Sequence, residues 1–232
     1  MFRKIRANIP NSITCLNLLS GAIACIMAFH VQEPIGALKG YQWAFIFIGA
    51  SALFDFMDGA MARLLHAYSE LGKQLDSLSD LISFGLAPTM LMFNTINDYQ
   101  PGSPFAFASL FIVLFAGLRL AKFNIDDRQT TSFIGLPVPA NAIFWIGTVA
   151  WIHTNVFPGA LAVAILILIL SSIMVMPLPM FSLKFSSFDW HSNFRRYLLI
   201  IAAVLFVIFQ GLPGLAWTIF LYIVMSAVSR SK

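Results

Sequence analysis

The chain has 232 residues, of which 59% are hydrophobic and only 10% charged, with a net charge of +4 and a mean hydropathy of +0.83. Soluble domains of this length carry far more charge, so the soluble classes are excluded and an all-α polytopic membrane protein is expected. Nucleic acid is not expected as a partner.

A spanning helix needs about 20 mostly apolar residues. In chain order, eight segments qualify: about 13–31, 41–65, 76–97, 104–123, 136–154, 158–176, 196–210 and 213–229. The breaks carry turn residues or charge, among them Pro34 and Gly36, Pro101-Gly102, Asp126-Asp127-Arg128, Pro158-Gly159 and Pro213-Gly214. The first segment lacks a small-residue cleavage site and reads as a retained helix. Residues 1–12 are expected to form a basic segment on the membrane surface, and 13–232 a single transmembrane catalytic domain. Cys15 and Cys25 share the first helix and lie too far apart along it to pair.

Eight spans with an inside N-terminus put Arg3, Lys4, Arg6, Arg63, Lys73, Arg119, Lys122, Arg128, Lys184, Arg195, Arg196, Arg230 and Lys232 on one side. Of the 14 basic residues only Lys39 falls outside. The positive-inside rule then predicts both termini in the cytoplasm, in the cell or inner membrane.

Against this apolar background, four carboxylates recur at fixed spacing: Asp55, Asp58, Asp76 and Asp80. Asp55 and Asp58 are three apart on the second helix, and Asp76 and Asp80 four apart on the third, so each pair shares a helix face. The short connection makes these helices antiparallel neighbours, and the four carboxylates are expected to converge. Charge near hydrocarbon costs roughly 2.5–3.5 kcal/mol per residue, and four carboxylates at close range need a cation. All-oxygen donors favour Mg2+, Mn2+ or Ca2+, and a set this large has room for one or two ions. Gly59 and Ala62 clear the helix face between the acids, and Arg63 can meet an anion. Together these features predict a nucleotide–diphosphate site facing the cytoplasm. A lone intramembrane Asp is often a packing partner or part of an ion path. A path would string acids through the bilayer, whereas Glu33, Asp98, Asp126, Asp127 and Asp189 fall in predicted loops.

The stretch 55–80 resembles the signature of the CDP-alcohol phosphatidyltransferase family, D-x2-D-G-x2-A-R-x8-G-x3-D-x3-D. Every fixed position is met, by Asp55, Asp58, Gly59, Ala62, Arg63, Gly72, Asp76 and Asp80. Ile9-Pro10-Asn11 with Thr14 and Asn17 resemble the family's entry to its first helix, and Gln74 to Pro88, Arg119 to Asn124 and Phe133 to Ala140 resemble its serine branch. The resemblance implies a six-helix core, here with two further C-terminal helices, and a homodimer. It implies that CDP-diacylglycerol gives its phosphatidyl group to the hydroxyl of L-serine, yielding phosphatidylserine and CMP with Mg2+ or Mn2+. Asp55, Asp58 and Asp76 would be metal ligands, and Asp80 the general base and a further ligand. Gly59, Ala62, Arg63, Gly72, Asn11 and Thr14 would meet the nucleotide and diphosphate. Arg119, Lys122 and Asn124, at the inner end of the fourth segment, would receive the serine carboxylate. Glycerol 3-phosphate or inositol phosphate as acceptor, and a cation transporter of another class, are the alternative readings.

Overall fold

A computed structural model describes residues 2–125, 133–182 and 189–228, with side chains from Asn8 onward other than Phe133, His191 and Ser192. Met1, Asp126, Asp127, Arg128, Lys184, Arg230, Lys232 and the side chains of Arg3, Lys4 and Arg6 lie outside the described residues.

The protein is an all-α membrane protein. Helices α1 (Phe2–Met27) and α2 (Gly40–Leu64) are joined by a tight hairpin of two-residue strands, β1 (Pro34–Ile35) and β2 (Leu38–Lys39). Helix α3 (Glu70–Asp80) runs through a π turn at Leu81–Leu86 into α4 (Ala87–Tyr99). A 3₁₀ turn at Pro104–Ser109 leads into α5 (Leu110–Ile125). Beyond it come α6 (Val138–Thr154), α7 (Ala160–Val175), α8 (Trp190–Gln210) and α9 (Gly214–Val228). Strands β3 (Phe133–Ile134) and β4 (Pro179–Met180) pair antiparallel beside the start of α6.

With α3 and α4 forming one rod, the described residues contain eight rods, close to the predicted segments. Among the described residues, four stretches are long and apolar enough to cross a membrane: Asn8–His30, Gly40–Leu64, Pro104–Ile125 and Asn193–Gln210. The first helix differs from expectation. It begins at Phe2, well before residue 13, and carries Pro10 within it.

Helix α6 sits at the centre. Val138, Ala142, Trp145, Val149 and Ile152 are buried, and the Trp145 indole donates to Asn141 Oδ1 at 3.1 Å. A helix apolar on every side belongs inside a bundle. The outer faces of α1, α2, α5 and α8 expose Leu19, Leu53, Leu114 and Leu205, as a lipid-covered surface requires.

The ends of α1, α4 and α6 remote from the carboxylates are tied by polar groups. His153 Nδ1 lies 2.9 Å from Gln32 Nε2 and 3.0 Å from Tyr99 Oη, and Tyr41 stacks on the imidazole at 4.2 Å. Lys39 Nζ donates to Gln32 Oε1 at 2.9 Å. This cluster fixes the bundle at one end and leaves the other free to be shaped by the acids.

Candidate active site

Helix α2 stops where the acidic motif needs it to. The Ala67 N–H bonds back to the Ala62 carbonyl at 3.0 Å and the His66 N–H to the Arg63 carbonyl at 3.3 Å. These bonds make a Schellman end, with His66 at φ +50° where glycine is the usual residue. Ser69 then starts α3, accepting from the Gly72 N–H at 3.0 Å. The reversal lays α3 back against α1, beside the end of α2, so acids from two helices meet.

They do not meet as four equals. Oxygen atoms of Asp55, Asp76 and Asp80 lie within 4.8 Å of one another. Asp58 stands outside that triad and accepts a 2.6 Å hydrogen bond from Thr14 Oγ1, whose single proton is shared with the Pro10 carbonyl at 3.0 Å. Three half-buried carboxylates at this spacing repel unless a cation sits among them. Their hard oxygen donors suit a divalent metal of the Mg2+ or Mn2+ kind.

Next to the triad lies a cleft of about 220 Å³. That is several times the ~30 Å³ share of a water molecule, so it suits a polar head group better than a bare ion. Pro10, Asn11, Thr14, Asp58, Gly59, Ala62, Gly72 and Asp76 line it, together with Ala67, Tyr68, Ser69 and Lys73. Asp76 therefore borders both triad and cleft. Gly72 matters by its missing side chain, because a Cβ there would stand 2.9 Å from Asn11 Oδ1. Arg63 is exposed and folds over Gly59, its Nη1 3.6 Å from where a Cβ would be.

The residues expected to receive serine are less uniform. Asn124 Nδ2 donates to Ser77 Oγ at 2.8 Å, and Lys73 Nζ donates to the Asn124 carbonyl at 3.3 Å, so the end of α5 is clasped to α3. Arg119 is buried, with its guanidinium 5.8 Å from the Phe123 ring centre. Lys122 is exposed. The sequence does not mark Tyr68, Ser69, Lys73 or Ser77 as site residues. The first two sit in the variable spacer of the motif, and only the chain reversal brings them to the cleft.

Fold and site together define an all-helical membrane protein with an acidic triad beside a cleft at the helix ends. The model of the CDP-alcohol phosphatidyltransferase family matches residues 7–177, and the chain belongs to that family. It is 34% identical over 164 residues to the CDP-diacylglycerol–serine O-phosphatidyltransferase of Methanocaldococcus jannaschii, covering 70% of each chain. The enzyme of the same name from Bacillus subtilis is 34% identical over 129 residues, 56% of this chain and 70% of its own. That of Helicobacter pylori is 33% identical over 136 residues, 58% of this chain and 54% of its own.

Proposed function

We propose that the chain transfers the phosphatidyl group of CDP-diacylglycerol to the hydroxyl of L-serine, forming phosphatidylserine and CMP. The observation that supports this reading is the joining of triad and cleft through Asp76, which would let a cation and a head group bind side by side. The relatives' shared name supports serine as the acceptor over glycerol 3-phosphate or inositol phosphate. The head-group cleft weighs against a cation transporter.

Asp55, Asp76 and Asp80, with Asp58 beside them, would hold Mg2+ or Mn2+, which would neutralise the diphosphate and polarise the phosphorus under attack. Asn11, Thr14, Gly59, Ala62 and Gly72 would shape the nucleotide pocket, and Arg63 would meet the diphosphate from the interface. Asp80 would take the proton as the serine oxygen bonds to the phosphorus bearing diacylglycerol. The bond from that phosphorus to the bridging oxygen breaks, and CMP leaves with the electron pair. Arg119 and Asn124 would receive the serine carboxylate, with Lys122 drawing it in from water. The proposed setting is a homodimer in the cell or inner membrane with eight spanning rods, both termini and the site facing the cytoplasm. The basic start of the 1–12 segment would lie on the lipid surface, while its Pro10 and Asn11 join 13–232 in one catalytic unit.

Purified protein in mixed micelles should release CMP from CDP-diacylglycerol when serine and Mg2+ or Mn2+ are both present. EDTA should abolish release, and added metal should restore it. Release unaffected by EDTA would contradict the role given to the triad.

A further inference from the structure

Helix α1 carries a buried asparagine that touches the acid assigned as base. Asn17 and Ser83 are fully buried. Asn17 Nδ2 donates to Asp80 Oδ1 at 3.3 Å, while its Oδ1 lies 2.7 Å from Ser83 Oγ. The Asn17 backbone carbonyl accepts from Ser51 Oγ at 3.1 Å, and the single Ser83 hydroxyl proton is directed mainly to the nearer Oδ1, with that carbonyl also 3.1 Å from Ser83 Oγ. Ser83 belongs to the π turn and reaches this position because Gly21, one turn along α1, has no side chain; a Cβ there would overlap it.

This arrangement selects one orientation of the amide. With Oδ1 toward Ser83, a hydroxyl donor is met, and Nδ2 is left for the carboxylate. The flipped amide would set its oxygen against Asp80 Oδ1, two acceptors face to face. The amide's donor is thus spent on the acid, whereas helix packing is served by the backbone carbonyl.

We infer that Asn17, oriented by Ser83, is a positioning residue that pins one oxygen of Asp80 so that the other faces the acceptor hydroxyl. The inference rests on the role of Asp80 proposed above. Ser51 provides the control. It is equally buried and bonds to the same residue, but only to its backbone, so a mere packing clasp would make Ser51 and Ser83 equivalent.

The test measures CMP release with serine for the full chain and for Asn17→Ala, Ser83→Ala and Ser51→Ala. Asn17→Ala should lower kcat by about 10- to 100-fold and Ser83→Ala by about three- to tenfold, with KM for CDP-diacylglycerol within about threefold of wild type. Ser51→Ala should stay within about twofold. Equal losses in Ser83→Ala and Ser51→Ala, or a loss in Asn17→Ala confined to KM, would overturn the inference. If Asn17→Ala fails to fold, the serine pair decides alone. A wild-type protein that releases no CMP would instead overturn the proposed function.

Discussion

Asp80 and Asp58 share a motif but occupy different environments. Asp80 stands in the triad and is held by an amide; Asp58 stands apart and is held by a hydroxyl. Asp80→Asn is expected to reduce turnover by about 10²- to 10⁴-fold while CDP-diacylglycerol binding survives, as measured by retention of labelled lipid. A loss of binding equal to that of Asp58→Asn would make Asp80 a ligand before a base. Ala62 makes the opposite kind of contribution, since its value lies in being small where the cleft is lined. Ala62→Leu should weaken nucleotide binding by about tenfold or more, and normal CMP affinity would refute the small-residue argument. The acidic positions are legible in the sequence because charge in an apolar chain is conspicuous. Asn17 and Ser83 are not legible as a pair, because a neutral amide and a hydroxyl carry no such signal and their meeting depends on how α1 packs against the π turn.

At the scale of elements, helices are easy to read and their departures from regularity are not. Apolar runs and turn residues mark eight segments, and the rods fall close to them. The π turn is hidden at that level, yet its cause is local. Pro88 has no N–H to bond the Phe84 carbonyl in the α pattern, and the chain shifts register just before it, with the Ala87 N–H reaching the Ile82 carbonyl. The extra residue rotates the remainder of the rod, α4, by about 100° relative to α3. Gly21 is the matching gap. Gly21→Val should cost about 1–3 kcal/mol by overpacking and lower the melting temperature in detergent; an unchanged melting temperature would mean that α1 and the π turn are loosely packed. His66 offers the reverse test. His66→Gly relieves a left-handed residue and should raise stability by about 1 kcal/mol, and a lower melting temperature would contradict the Schellman end described for α2.

For the whole molecule, the positive-inside argument and the fold put the acids and the hairpin at opposite ends of the bundle. In a variant without Cys15 and Cys25, Lys39→Cys should react with an impermeant maleimide in intact cells, and Glu70→Cys only after the membrane is opened. The reverse pattern would invert the proposed topology. The fold class follows from composition, but the lipid-facing surface of α8 and the central place of α6 do not, because both helices are apolar and only tertiary packing separates them. The central claim joins all three scales: triad, cleft and bundle serve one transfer to serine. Its most direct test offers labelled L-serine, glycerol 3-phosphate and inositol phosphate in parallel to purified protein with CDP-diacylglycerol and Mn2+. Label should enter the lipid fraction from serine alone, one lipid for each CMP released; label from another acceptor, or CMP without labelled lipid, would contradict it.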